Sequence, residues 1–342
     1  MRVGLAGFAR SGKTTLFRWL TGVEPDKSVV RGQIGVARLL DARLSWLAQL
    51  SHAKKVTPAT LEFLDVPGLV NDAAKDNARR LALLREADGL LLVLAAFRDD
   101  PAVEYHRLLG ELTLADLEII SNRLQRLEGL SRKARSAAER EADERERALL
   151  ERLHQTLEGA PSAPLTLSGE EEKQVRAFQL FALKPRLVVI NTNETWPMER
   201  LPQSLATLTP SPLVLPLQLE WEVSQLPEPD RETFAQELGL HSLGREEVLR
   251  RIFYGLGQMV FFTMNEEECR AWPISAGTSV VQAAGLIHSD FEAGFVRAEV
   301  IAFTELQRVG SLKDAKARGL VRLEGKNYIV QDGDVIYILA NR

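Results

Sequence analysis

Up to about Gly110, short and nearly continuous apolar runs alternate with longer segments in which apolar and polar residues mix. Val3 to Ala6 is the first such run, and Thr14-Thr15-Leu16-Phe17-Arg18-Trp19-Leu20 behind it reads as a helix. Leu61-Glu62-Phe63-Leu64-Asp65 reads as a strand that ends in a carboxylate. Gly89-Leu90-Leu91-Leu92-Val93-Leu94 and Arg186-Leu187-Val188-Val189-Ile190 show no alternation, as expected of strands covered on both faces. Strands alternating with helices, with a loop of phosphate-binding type after the first strand, predict an α/β fold with a doubly wound, mostly parallel sheet.

From about Thr113 to Leu183 the period changes. Thr113-Leu114-Ala115-Asp116 has the form of a helix N-cap with a carboxylate three residues on. Leu117, Ile120, Leu124, Leu127 and Leu130 then recur every three or four residues, a narrow helical seam. Residues 132–147 are almost wholly charged or Ala and read as a solvated helix face; Leu149, Leu150, Leu153 and Leu157 restore the seam, and Gly159 to Pro164 ends it. An antiparallel helical hairpin inserted into the first domain is the expectation. Beyond about Phe262, strand-like pieces at Arg270–Ile274, Val296–Phe303, Tyr328–Val330 and Val335–Leu339 surround one helix near Ser279–Ile287, with an Asp332-Gly333 turn before the last strand. The pattern therefore predicts a first α/β part over 1–112, the hairpin over 113–182, the rest of the α/β domain over 183–261, and a compact α+β module over 262–342.

With 342 residues and 45% hydrophobic content the chain can fill more than one core. The single cysteine, Cys269, excludes an internal disulfide and a thiolate metal cluster, and the five histidines lack H-x-x-x-H spacing. The longest apolar run, Gly89 to Phe97, is too short to span a bilayer, and the chain runs at once into its first strand, which leaves no room for a signal peptide. A soluble cytoplasmic protein without a membrane partner is expected. A net charge of −4 gives no general pull toward nucleic acid and no basis for reading DNA sequence, so any such contact needs a local patch. From Arg308 to Arg342 seven Lys/Arg stand against four Asp/Glu, a modest net of +3 that does not by itself establish RNA contact. His288, set among apolar residues, reads as a packed core histidine.

Chemistry concentrates at Gly7-Phe8-Ala9-Arg10-Ser11-Gly12-Lys13-Thr14, which fits G-x-x-x-x-G-K-[ST]. Gly7 and Gly12 let the backbone fold back so that successive N–H groups point at a di- or triphosphate. Lys13 adds a point charge at the β/γ-phosphates, the Thr14 hydroxyl suits Mg²⁺, and the positive end of the following helix faces the anion. The chain is therefore expected to bind ATP or GTP with Mg²⁺. Asp65-Val66-Pro67-Gly68 closes a strand and fits D-x-x-G, in which the Asp serves the metal and the Gly N–H senses the γ-phosphate. Leu69 stands where Ras-type NTPases carry a water-orienting Gln; an apolar side chain cannot do that, so hydrolysis needs another group or is slow.

The base-reading motif is expected after a later strand. Val189-Ile190 leads into Asn191-Thr192-Asn193-Glu194, where a guanine reader has N-K-x-D. Thr192 replaces the Lys, and Glu194 is one methylene longer than Asp. Asn191, with a donor and an acceptor, can suit adenine's N6 amine and N7. Candidate nucleotide contacts are thus Gly7, Ala9, Arg10, Ser11, Gly12, Lys13, Thr14, Thr15, Gly68, Asn191, Asn193 and Glu194; candidate metal ligands are Thr14 and Asp65. Lys13 is the first candidate catalytic residue. Arg10 is the second, because a guanidinium in the loop could fold over the β/γ-phosphates in cis.

These motifs in this order resemble YchF, the Obg-like ATPase family, over essentially the whole length. Besides the phosphate loop, Asp65-Val66-Pro67-Gly68-Leu69-Val70 and Asn191 to Glu194, the resemblance includes Ala182-Leu183-Lys184-Pro185. Its most specific part is Ala283-Ala284-Gly285-Leu286-Ile287-His288-Ser289-Asp290-Phe291-Glu292-Ala293-Gly294-Phe295-Val296-Arg297-Ala298, followed by Glu324 to Val330 and Asp332 to Val335. The C-terminal runs look like that family's TGS domain, a β-grasp fold. The resemblance implies a preference for ATP over GTP, slow hydrolysis, and association with the ribosome through its RNA or protein. Three departures bear on turnover. Ala9, Arg10 and Ser11 replace the family's usual Pro-Asn-Val; the region Pro25 to Gly35 offers only Ser28 as a switch hydroxyl; and Asn71 to Arg80 has no glycine where the second switch is usually glycine-rich. A nucleotide switch with weak ATPase activity, a non-catalytic nucleotide-dependent binding module and a GTP-preferring NTPase all remain open at this level.

Overall fold

The computed structural model describes residues 1–26, 32–71, 73–131, 136–161, 165–193, 200–237 and 244–341. From the N-terminus the elements are β1 (Arg2–Ala6), α1 (Lys13–Thr21), β2 (Gln33–Arg38), α2 (Ala42–Ser51), β3 (Lys55–Thr57), β4 (Thr60–Asp65), α3 (Ala74–Leu84) and β5 (Gly89–Ala95). Next come α4 (Pro101–Ser131), α5 (Ala137–Gly159), α6 (Gly169–Val175), β6 (Arg186–Asn191), α7 (Gln203–Ala206), β7 (Leu213–Leu215), α8 (Leu217–Ser224), α9 (Glu228–Glu237) and α10 (Gly244–Gly255). The chain closes with β8 (Gln258–Met264), β9 (Glu268–Ser275), α11 (Val280–Ile287), α12 (Ser289–Ala293), β10 (Phe295–Ala302), α13 (Phe303–Val309), α14 (Leu312–Ala317), β11 (Arg322–Glu324) and β12 (Asp334–Ala340). Among the described residues no helix is long and apolar enough to cross a membrane.

The chain divides into two compact units. One comprises Arg2–Gly35 with Phe63–Ser242; the other comprises Met1, Val36–Glu62 and Leu243–Arg342. The first sheet runs β2-β4-β1-β5-β6-β7, with β1–β5, β5–β6 and β6–β7 parallel, as a doubly wound α/β fold requires. All seven residues of β5 are buried, which is why its sequence lacks polar alternation.

Helix α4 differs from the sequence expectation. It runs unbroken from Pro101 to Ser131, so Thr113 lies inside it, buried, and caps nothing. The reason is two apolar stripes on one helix. Tyr105, Leu108, Leu109 and Leu112 pack into the core against the sheet, while Ile120 and Leu127 meet Leu149, Leu150, Leu153 and Leu157 of α5. Asp116 is fully buried between the two stripes, accepts the N–H groups of Phe181 (3.0 Å) and Ala182 (2.9 Å), and pairs with Arg85 at 2.7 Å. Lys184 fixes the same junction by donating to the carbonyls of Arg85 and Ala87 behind α3.

In the second unit β8 and β9 form an antiparallel hairpin, β12 lies parallel to β8, and β10 is antiparallel to both β12 and β11. Helix α11, opened by the Ser279–Gln282 capping box, covers one face of this sheet, giving the β-grasp arrangement. The outer strand on one side is β3, paired in parallel with β9 through Lys55↔Glu268, Val56↔Cys269 and Thr57↔Arg270. Three local expectations are corrected. Phe303 begins α13 rather than ending a strand. Tyr328 to Val330 forms only an isolated bridge, Ile329 to Ser279, because its backbone is taken up by the start of α11. His288 is exposed, and its Nδ1 accepts the Asp290 N–H at 3.1 Å as the N-cap of α12.

Candidate nucleotide-binding site

The loop from Gly7 to Thr14 leaves β1 and enters α1. Its glycines are demanded by close neighbours. A Cβ on Gly7 would lie 2.5 Å from the Val93 carbonyl oxygen, and one on Gly12, where φ is 101°, would collide with the Asn191 amide. Arg10 also adopts a left-handed backbone, with φ at 65°, and is exposed.

Lys13 is 5% exposed and its Nζ donates to the carbonyls of Gly7 (3.1 Å) and Phe8 (2.8 Å), with the Ser11 hydroxyl at 3.5 Å. Burial lowers its pKa to about 8; Asp65 and Glu104 pull it back up, whereas Arg80 and Arg98 add to the fall. Gly68 lies so close that an added Cβ would be 2.6 Å from Ala9 and 2.7 Å from Lys13 Nζ. The Thr14 hydroxyl donates to Asp65 Oδ2 at 2.9 Å, while Asp65 Oδ1 is buried without a hydrogen-bond partner. Burial also pushes the Asp65 carboxyl above its ordinary range, against the pull of Thr14 and Lys13. A hydroxyl beside a carboxylate with an orphaned oxygen is a donor set that suits Mg²⁺, with phosphate oxygens and water completing its shell. Among the described residues no three His, Cys, Asp or Glu gather as a metal cluster, so Thr14 and Asp65 are the protein groups that fit the ion.

Leu69 is 1% exposed and its backbone is tied to the phosphate loop: its N–H donates to the Gly7 carbonyl at 3.0 Å, and its carbonyl accepts the Ala9 N–H at 2.8 Å. Asn77 on α3 holds Val70 by two further bonds, at 3.0 and 2.8 Å. Arg98 donates to the Ala9 carbonyl at 3.2 Å and lies 3.8 Å from the buried Glu104 carboxylate, which accepts the Ala95 N–H.

A cavity of about 1000 Å³ opens over this loop. Ala9, Arg10, Gly12, Lys13, Thr14, Thr15, Asp65, Gly68, Asn191 and Asn193 all reach its wall, whereas Gly7 and Ser11 do not line it. Glu194 and Ser28 lie outside the described residues. Asn191 is held more tightly than the sequence suggests. It is 6% exposed, its Nδ2 donates to the Ser11 carbonyl at 3.0 Å, and its Oδ1 accepts the Leu217 N–H at 3.2 Å. One N–H and one lone pair of the oxygen are left for a base, so the two-way exchange with adenine expected from the sequence has to share both groups with the backbone. Sequence reasoning missed Phe97, Pro216, Gln218 and Leu219, which also line the cavity. Phe97 offers a half-exposed ring as an apolar face. No motif marks these four residues, because they come together only where β5 and β7 end side by side with β6.

A phosphate loop after the first strand, a D-x-x-G carboxylate opposite its Thr, and this sheet order define a P-loop NTPase fold. Comparison with known proteins agrees. Residues 2–123 match the family described as 50S ribosome-binding GTPase, and residues 258–341 match the C-terminal YchF GTPase family, described as a protein of unknown function. The chain is 30% identical to the ribosome-binding ATPase YchF of Bacillus subtilis, covering 100% of this chain and 99% of that one. It is 34% identical to the Mycoplasma genitalium YchF (98% of each chain) and 33% identical to that of Escherichia coli O157:H7 (99% of each). The structure of the Schizosaccharomyces pombe YchF GTPase superposes with a TM-score of 0.79 at 22% identity, over 99% of this chain and 97% of that one. This chain belongs to the YchF family.

Proposed function

We propose that this protein is an adenine-nucleotide switch that hydrolyses ATP slowly with Mg²⁺ and acts on the ribosome. The observation that carries the nucleotide part is the joint placement of Lys13, the Thr14–Asp65 pair and Gly68 on one cavity wall. Lys13 and the α1 N-terminus would neutralise the β/γ-phosphates, and the Gly68 N–H, held against Ala9, would meet the γ-phosphate. When bound, Mg²⁺ supplies charge neutralisation on the phosphate oxygens, with Thr14 and Asp65 as its protein ligands. Slow turnover follows from Leu69, whose buried side chain has nothing to orient a water. The ribosome part rests on relatives that span the whole chain and are named ribosome-binding ATPases.

Leu69 also favours a second reading, a binding module in which nucleotide is only a regulatory ligand. ATP and GTP binding and turnover, measured with purified protein with and without ribosomes, separate the two. Tight ATP binding with no turnover in either condition selects the module.

A further inference from the structure

The base side of the cavity contains an exposed side-chain amide whose nitrogen is tied to a neighbour on the same helix. Helix α8 starts at Leu217, and the Asn191 bonds to Leu217 N–H and to the Ser11 carbonyl tie its first turn to the phosphate loop. Gln218, the next residue, lines the cavity beside Asn193, Pro216 and Leu219. Its Nε2 donates to Glu222 Oε1 at 2.6 Å, one helical turn on. A carboxylate only accepts, so the amide nitrogen faces Glu222 with one N–H taken up there, while both lone pairs of the amide oxygen stay open to a ligand.

Purines differ at C6 in the matching sense. Adenine presents an amine that donates, and guanine a carbonyl that accepts. Asn191 keeps one N–H, which suits a feature both share, such as N7, while its oxygen already accepts from Leu217. We propose that Gln218, oriented by Glu222, discriminates the purine at C6, accepting from adenine's amine and repelling the carbonyl oxygen of guanine. This rests on reading the cavity as a nucleotide site and assigns its specificity to α8 rather than to Asn191.

The test is titration of ATP, GTP, inosine triphosphate and inorganic tripolyphosphate against wild type, Gln218→Leu and Glu222→Gln. Inosine carries the C6 carbonyl without guanine's 2-amine, so it isolates the C6 contact. Wild type is expected to bind ATP roughly tenfold more tightly than inosine triphosphate, the scale of one lost hydrogen bond with an unmet acceptor. Gln218→Leu should bring that ratio close to one. Glu222→Gln frees the amide to turn, so it should tighten GTP and inosine triphosphate several-fold with little change for ATP. Tripolyphosphate affinity should be the same in all three proteins, which shows that the loop is intact. An ATP preference that persists unaltered in Gln218→Leu overturns the inference and leaves the nucleotide site standing. A wild-type preference for GTP overturns it as well. Failure of wild type to bind any of the four ligands overturns the nucleotide reading and this inference with it.

Discussion

Lys13 shows how burial sets the chemistry of a single residue. Its ammonium is almost fully enclosed, and desolvation holds its pKa at about 8. A bound triphosphate would raise that value, so binding takes up a proton above pH 8 and weakens as pH rises. ATP affinity should fall by up to about tenfold per pH unit between pH 8 and 10. Lys13→Arg, whose guanidinium stays charged, should abolish the slope; isothermal titration across this range decides it. Asp65→Asn should weaken Mg²⁺–ATP binding more than Mg²⁺-free binding, since the orphaned Oδ1 is the group that suits the cation. Equal losses in EDTA and in Mg²⁺ would remove Asp65 from the metal's shell. Arg10 is exposed on the cavity wall in a left-handed conformation, with its guanidinium free to fold over phosphate. Arg10→Ala should slow single-turnover hydrolysis by about tenfold or more, and an unchanged rate would put Arg10 in solvent.

At the scale of elements, α4 joins two cores with one helix. Its first stripe belongs to the α/β core and its second to the hairpin, and Asp116 marks the changeover. The Asp116–Arg85 pair is buried, with Asp116 also holding two backbone N–H groups. Asp116→Ala leaves both N–H donors unmet and takes the carboxylate from Arg85, which keeps only its bonds to the Ala115 and Gln179 carbonyls; it should cost about 3–5 kcal/mol, read from urea unfolding. A cost below about 1 kcal/mol would mean that the junction tolerates solvent. Tethering Lys184 behind α3 gives a physical role to the Ala182–Pro185 motif, which by sequence was only a family resemblance. The Asp332–Val335 motif is explained in the same way: Asp332 accepts the Val260 N–H and pairs with Arg43, and Asp334 accepts the Tyr328 hydroxyl.

For the whole molecule, the C-terminal β-grasp is not a self-contained stretch of sequence. Residues 36–62 fold with it, contributing β3 to its sheet and α2 to its core, where Trp46 meets Phe303 edge-on. Cutting the chain at Phe262 would therefore remove β9, the strand that β3 pairs with and that α2 packs against, and such a truncation tests folding rather than ribosome contact. Charge reversal at exposed positions avoids that. Arg297→Glu with Lys326→Glu should reduce co-sedimentation with ribosomes and leave ATP affinity unchanged. Undiminished co-sedimentation would move the contact to the hairpin or the α/β unit.

The parts that depend on neighbours along the chain were legible before any fold was known. The phosphate loop, the carboxylate at the end of β4, the buried strands β5 and β6, and the Ser279 cap are all set by local backbone needs and local burial pattern. What depends on residues far apart emerged with the fold. Asn191 is tied to Ser11 and Leu217, Gln218 is brought to the cavity, and β3 pairs with β9, far along the chain. Hydrogen-bond capacity and strand edges are satisfied by whichever partner lies closest in space, and no spacing along the chain records which one that is.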